Sequence, residues 1–380
     1  MKDSGYLQDY FDTLCVKQIE NKQKSFGIVQ GSAGLALCCA HYYSITKDEK
    51  YYEWMEKLLL NSAKKSNHSQ NFSLGYGLAG FAWSIEQIAE LNLLEGVDSW
   101  LSDINTQLMV GFVLHEQHKD LDFFIGFAGI LHYFLLIGNI PKIETFADAF
   151  IKIIDEKIKN NDFWNKGYDA NDNAVKALNF GIPHGIAGWV LLLLIIKEKN
   201  IRDTSSQISS LVDVLLSYKY SEDKSCIFPS IIYEDEIVDA NHIGWCYGDL
   251  VTSYTLLKTA CVLERKDLED LAFETIDRTL KRTDIIIDDL SLCHGYISVS
   301  VLFQKLYNLT SQTRFDELSK KWLSQAEEVF KKQYAEYQEN GQHASYFEET
   351  SLFMGFPAFF LSMLQQEGKI DNKWCNCLML

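Results

Sequence analysis

Two kinds of apolar pattern alternate along this chain. One is apolar on every side and opens on small residues. Gly31-Ser-Ala-Gly34, Gly77-Leu-Ala-Gly80, Gly126-Phe-Ala-Gly129 and Gly185-Ile-Ala-Gly188 each lead into an apolar run, and the pattern decays to Gly248-Asp-Leu-Val251, Gly295-Tyr-Ile-Ser298 and Gly355-Phe-Pro-Ala358. The other kind bears charge, as in Tyr51-Tyr-Glu-Trp-Met-Glu-Lys-Leu-Leu-Leu60 and Phe315-Asp-Glu-Leu-Ser-Lys-Lys-Trp-Leu323, where apolar residues recur every three or four positions. That spacing predicts helices that bury one stripe and expose the other, whereas a helix apolar all round must be covered on every side. The seven glycine motifs lie roughly 45 to 65 residues apart, the scale of a helical hairpin with its connections. The expected fold is all-α: an α/α toroid of two concentric helix layers, about seven helical hairpins, with residues 1–380 forming one domain.

Two irregular stretches interrupt the alternation. Residues 160–179, with Gly167-Tyr-Asp-Ala-Asn-Asp-Asn, read as a loop leading towards His184. Residues 227–238 read as a short β-hairpin before Cys246. Residues 123–140 carry no charge and have the length of a membrane span, but they contain Gly126, Gly129, His132 and Gly138, end at Asn139-Ile140-Pro141 and lack a basic flank. A buried helix is expected there, and no transmembrane segment.

Composition narrows the function classes more than the fold. Hydrophobic residues make up 47% and charged residues 23%, which excludes a disordered or fibrous chain. Only four prolines occur, as long helices require. A formal net charge of -17 argues against a nucleic-acid partner, which needs a basic face, and against an anionic membrane surface. Nine cysteines show no regular framework, and the start Met1-Lys-Asp-Ser-Gly lacks a signal-peptide pattern. Free or metal-bound thiols in a reducing cytoplasm are expected.

Three short stretches carry the candidate chemistry: Pro183-His184-Gly185, Trp245-Cys246-Tyr247-Gly248 and Cys293-His294-Gly295. Each sets a soft-metal ligand or an imidazole just before a repeat glycine, at the start of an apolar helix. Two thiols and an imidazole form a ligand set of catalytic zinc sites that keep one position open. Cys246 and Cys293 hold equivalent places in neighbouring repeats, while Cys15, Cys38, Cys39 and Cys261 sit in ordinary helical segments and read as structural thiols. Gly295 is expected to let the backbone turn so that Cys293 and His294 serve one metal.

With these motifs the sequence resembles the lanthionine synthetase C family, the zinc-dependent cyclases of class I lanthipeptide biosynthesis. The resemblance runs from about Gly27 to Leu364. It implies an α/α toroid with Zn2+ near the middle of one face, held by Cys246, Cys293 and His294, and with a water or substrate thiol at the fourth position. It further implies that His184 is an acid/base residue, that Asp122 matches a family aspartate near it, and that Tyr247 assists by hydrogen bonding. One departure stands out: where the family usually has an arginine four residues before the first zinc cysteine, this chain has His242, which lacks a permanent charge.

The family reaction is intramolecular addition of a peptide cysteine thiolate to dehydroalanine or dehydrobutyrine, giving (methyl)lanthionine thioether rings. The implied partners are a dehydrated precursor peptide, leader plus core, and the dehydratase and exporter of the same pathway. Two further readings share these residues: an enzyme adding glutathione or another thiol to dehydroamino acids in proteins, and a non-catalytic zinc-containing scaffold. An α/α-toroid glycosidase would need two opposed carboxylates that the motifs do not supply. The last residues, from Cys377 to Leu380, formally match a prenylation box, though a packed or loose tail is the expected reading.

Overall fold

Both kinds of segment become helices. The computed structural model describes residues 5–20, 26–29, 31–66, 69–138, 140–168, 174–221, 224–234, 236–287, 289–340 and 350–380. Among them, in chain order, lie α1 (Gly5–Glu20), α2 (Ala33–Thr46), α3 (Glu49–Ser66), α4 (Leu78–Glu90), α5 (Asp98–Gln117), α6 (Phe127–Ile137) and α7 (Ile143–Asn160). Strands β1 (Asn165–Tyr168) and β2 (Ala174–Asn179) precede α8 (Ile186–Glu198) and α9 (Ser205–Ser217), and β3 (Pro229–Tyr233) and β4 (Ile237–Asp239) follow. The rest is α10 (Asp249–Leu263), α11 (Lys266–Thr279), α12 (Tyr296–Thr310), α13 (Thr313–Asn340), α14 (Phe356–Gln366) and a terminal 3-10 helix, Lys373–Leu378.

The even-numbered helices are the glycine-led ones. Each packs on the next, and α14 packs back on α2, which closes the inner layer into a ring. The odd-numbered helices lie outside, α3 on α2, α7 on α6, α9 on α8, α11 on α10 and α13 on α12. Burial follows this division. In α8 the unbroken run from Ile186 to Leu194 is buried, whereas α7 buries only Phe146, Ala147, Phe150, Ile153 and Ile154, a stripe at helical spacing. Each large side chain removed from water in that stripe contributes about 1.5–3 kcal/mol, which holds the outer layer to the inner one. The α/α toroid expected from the pattern is thus the fold observed.

Three local expectations change. The stretch 160–179 is not a plain loop: α7 runs to Asn160 and two strands follow, while residues 169–173 lie outside the described ones. The hairpin at 227–238 forms, and it joins those strands in a four-stranded antiparallel sheet ordered β1-β2-β3-β4, with Leu178 opposite Ile232 and Ile232 opposite Ile237. The apolar stretch 123–140 gives a helix only over α6, since Phe123 to Gly126 form the approach loop and Gly138, at φ 75°, ends the helix. Among the described residues no helix is long and apolar enough to cross a membrane.

The loops that lead into the inner helices are stitched together around the ring. The Val29 N–H donates to Gly75 O (2.8 Å), Gly75 to Phe124 O (2.9 Å), Phe123 to Pro183 O (2.8 Å), Cys246 to Cys293 O (3.1 Å), Leu292 to Phe353 O (2.8 Å) and Leu352 to Ile28 O (3.0 Å). Beneath them the rings of Phe124, Trp245 and Phe353 pack within 5.4 Å of one another. The terminal 3-10 helix packs under this floor: Trp245 Nε1 donates to Leu378 O (2.9 Å), His132 Nε2 lies 2.9 Å from Asn376 O, and Lys305 Nζ donates to Leu380 O (2.9 Å). Cys375 and Cys377 are buried, so the tail is packed, and the Cys377 thiol is out of reach of a prenylating enzyme.

Candidate metal centre and its surroundings

The approach loops share a turn that comes from one residue type. Six positions before the helix glycine stand Asn71, Asp120, Asn179 and Asp289, and each side-chain Oδ1 accepts the N–H two residues on: Ser73 (3.1 Å), Asp122 (3.1 Å), Gly181 (2.8 Å) and Ser291 (2.8 Å). Such a side chain folds the backbone back on itself without secondary structure. Each loop then presents its last residues at the ring's centre.

There the structure brings together three of the residues singled out in sequence. The ligand atoms of Cys246, Cys293 and His294 all lie within 4.8 Å of one another, with Cys246 Sγ 3.9 Å from His294 Nδ1. Among the described residues this group holds three donors, two sulfurs and a nitrogen, and it could hold a metal ion. The far side of the imidazole is also engaged: Nε2 lies 3.0 Å from Asp289 Oδ2. A carboxylate behind a ligating histidine fixes which nitrogen carries the proton, here leaving Nδ1 to face the sulfurs.

The charges agree with that arrangement. The Asp289 carboxylate, and then the Cys293 thiol, push the His294 imidazole up to about 10. A hydrogen bond from Cys246, with help from His294, brings Cys293 down to about 6, against its burial. Burial, together with the Cys293 sulfur beside it, drives Cys246 well above the usual thiol range. In the absence of a metal the shifts favour a proton moving from the Cys293 thiol towards the His294 imidazole.

The second predicted pair is also assembled. His184 Nδ1 hydrogen-bonds Asp122 Oδ2, while Asp122 Oδ1 accepts the N–H groups of Phe124 (2.8 Å) and Ile125 (2.9 Å). One carboxylate thus shapes its own loop and orients the imidazole. Burial lowers the pKa of His184, but the adjacent Asp122 charge and hydrogen bond outweigh it, and the net shift is upward. The Cys293 charge adds to the upward shift.

Tyr247 is half-buried, and burial followed by the Cys246 charge keeps its hydroxyl protonated; the Asn179 side chain hydrogen-bonds it. His242 occupies the turn-forming position of its own repeat. Its Nδ1 lies 3.1 Å from Ile286 O and its ring 5.7 Å from that of His294, which sets it at the edge of the group with one nitrogen engaged by backbone.

Sequence reasoning missed Asp289, Asn179 and Asp249. The first two were marked by the asparagine or aspartate six residues before the glycine. Asp249 is fully buried, accepts the N–H groups of Ile227 (3.0 Å) and Phe228 (3.0 Å), and pairs with Arg282 at 3.3 Å; burial raises its pKa to about 6. It ties the sheet to the start of α10, and Phe180 N–H donating to Ser230 O (3.1 Å) ties the sheet to the His184 loop.

Gly295 plays a different part from the one expected. Its φ of -85° is ordinary, but a β-carbon there would strike the Asp289 carboxylate, so the glycine supplies space rather than a turn. Gly248 does need its freedom, with φ at 112° and the His242 carbonyl against its α-carbon.

A solved structure titled "Nisin cyclase" superposes with a TM-score of 0.79, covering 99% of this chain and 98% of that one at 18% identity, which shows a shared fold. The match to a polysaccharide lyase spans 70% of this chain and 41% of that one, at TM-score 0.37 and 11% identity. No curated protein sequence matches. The family model described as lanthionine synthetase C-like protein matches residues 22–379. On that match, the chain belongs to the lanthionine synthetase C-like family.

Proposed function

We propose that this protein is a zinc-dependent cyclase, closing thioether rings by adding peptide cysteine thiolates to dehydroalanine or dehydrobutyrine in the same peptide. The observation that carries the reading is the meeting of Cys246, Cys293 and His294 beside the Asp122–His184 pair. The donor set fits zinc: two thiols and an imidazole, the latter backed by Asp289, suit a borderline-soft divalent ion better than an oxygen-seeking one. Cys246 Sγ, Cys293 Sγ and His294 Nδ1 would hold it. When bound, zinc would acidify a peptide cysteine and keep its sulfur as thiolate.

The remaining work falls to the chain's own residues. Addition at the β-carbon puts negative charge on the α-carbon and its carbonyl, and a proton must then be delivered to the α-carbon. His184, held in its charged form by Asp122, delivers it. Its proton leaves from Nε2, because Nδ1 is engaged by Asp122. Tyr247 keeps its hydroxyl proton and can donate a hydrogen bond to the developing oxyanion. His242, at the edge of the group where the family usually has an arginine, serves there as a hydrogen-bonding group. Residues 1–380 are read as one domain, and the partners as a dehydrated precursor peptide with leader and core, in the cytoplasm, with the dehydratase and exporter of its pathway.

The test is to incubate zinc-loaded protein with a dehydrated, cysteine-containing peptide and count free thiols. Loss of thiol at unchanged mass reports ring closure. Thiols that persist while zinc stays bound would overturn the reading.

A further inference from the structure

The position immediately before the helix glycine is half-buried in every described repeat, and its chemistry divides the centre of the ring in two. His184, Tyr247 and His294 occupy one side; Met354, Tyr76 and Ile125 occupy the other, each packed against the core. Backbone bonds join the loops of the second arc, Leu352 to Ile28, Val29 to Gly75 and Gly75 to Phe124, while the corresponding position before Gly31 lies outside the described residues. Its floor is Phe124, whose ring centroid lies 4.8 Å from Phe353, 5.2 Å from Trp245 and 6.1 Å from His184. This arc therefore abuts the thiol pair without adding a charge.

Tyr76 is its largest member. Its loop is fixed by the Ser73 hydroxyl, which accepts the Tyr76 N–H at 3.2 Å, and by the Gly75 bond to Phe124. Tyr76 stands just before the helix glycine Gly77, as His184 and His294 stand before theirs, and is half-buried; burial, and then the charges of Cys293 and Asp122, hold its hydroxyl above the usual range. The far end of the same arc reaches the thiol loop, where the Cys293 N–H donates to Phe353 O (3.3 Å), next to Met354.

A dehydrated amino acid is flat, conjugated and uncharged, and it must come within bonding distance of the attacking sulfur. Water-exposed polar surroundings would favour neither its binding nor its orientation, whereas an aromatic face and two aliphatic side chains favour both. We propose that Tyr76, Met354 and Ile125 form the wall that seats the alkene-bearing residue of the peptide, with Tyr76 as the specificity-determining contact. This inference rests on the cyclase reading and adds to it the surface on which the electrophile lies.

The experiment separates the two. A fluorescein-labelled dehydrated peptide whose cysteines are replaced by serine binds but cannot react, so its Kd reads the wall alone, in zinc-loaded and zinc-free protein. Ring closure on the cysteine peptide, followed by thiol counting, reads the cyclase. Tyr76→Ala is expected to raise Kd and KM about fivefold to tenfold, the worth of a lost half-buried aromatic contact, with kcat within about twofold and zinc content unchanged. Tyr76→Phe should match wild type, and Met354→Asp should weaken binding at least as much as Tyr76→Ala, which covers the case of a Tyr76 variant that does not fold. Unchanged Kd in Tyr76→Ala and Met354→Asp overturns the wall. So does a Tyr76→Phe that loses as much as Tyr76→Ala, since the hydroxyl and not the ring would then be the active part. A wild type that binds the serine peptide but closes no ring overturns the cyclase reading and leaves the wall to be judged on Kd.

Discussion

Replacing Asp289 by asparagine isolates one atom. The Asp289 Oδ1 accepts the Ser291 N–H at 2.8 Å and shapes the loop, while Oδ2 meets His294 Nε2 at 3.0 Å. Asparagine keeps the first contact and turns the second into two opposed donors. A hydrogen bond to a charged partner is worth about 1.5–3 kcal/mol, so zinc affinity should fall about tenfold to a hundredfold while the loop survives. Competition with a chromophoric zinc chelator at neutral pH measures the affinity, and thermal melting of the metal-free protein checks the fold. Asp289→Ala should lose both the affinity and part of the melting temperature, because the turn goes with it. An Asp289→Asn protein that holds zinc within about twofold of wild type would refute the argument that this carboxylate orients the ligand.

The same pair has a signature in metal-free protein. His294 is raised to about 10 by Asp289, and a folded pKa above the unfolded one means stability that is complete below about 6.5 and lost as pH rises through about 10. Cys293, brought down to about 6, contributes in the opposite sense over the same window, so the net effect of the two on wild-type stability should stay small between about pH 6.5 and 9; the His294 contribution is read instead as the difference between wild type and Asp289→Asn in urea unfolding, which should narrow as pH rises towards 10.

Other expectations concern the opposite pair, the glycine turn and the floor. His184→Asn should abolish ring closure with zinc still bound, read by thiol counting beside metal analysis. Since the His184 pKa is raised, its charged form persists above about 6.5 and the rate should fall as pH climbs past the raised value; Asp122→Asn should move that alkaline limb downward in a pH–rate profile. A limb that stays put would separate Asp122 from the proton donor. Gly248→Ala, at φ 112° and against the His242 carbonyl, should cost about 1–3 kcal/mol in urea unfolding, and a cost under about 0.5 kcal/mol would show that the turn relaxes freely. Trp245→Phe leaves the buried Leu378 carbonyl without its donor and should cost about 1–3 kcal/mol by the same measurement, a neutral result arguing that the tail is not held there.

The layered helices were legible because burial acts on side chains, and side chains are what a sequence displays. An all-apolar run such as that of α8 can only sit inside, and the striped run of α7 can only sit at the boundary. The cysteines and histidine before the glycines were legible for a related reason: equal places in a repeat become neighbouring places in a ring. Asp289 was harder to read, because its role lies in a hydrogen bond to a loop N–H that no periodicity announces, although the recurrence of asparagine or aspartate at Asn71, Asp120 and Asn179 would have pointed to it. The same recurrence shows His242 as the exception in its repeat. The strand Asn165–Tyr168 was illegible: Asn-Lys-Gly-Tyr has no alternation to read, and it forms by pairing with β2.

Among the described residues, the 3-10 helix beneath Trp245 backs the floor of the ring. On the cyclase reading, a peptide would then enter and leave over the opposite rim, and one needing several closures would be repositioned between them, so that partly finished forms, each lighter in free thiol by one, should be seen in a time course of thiol counting.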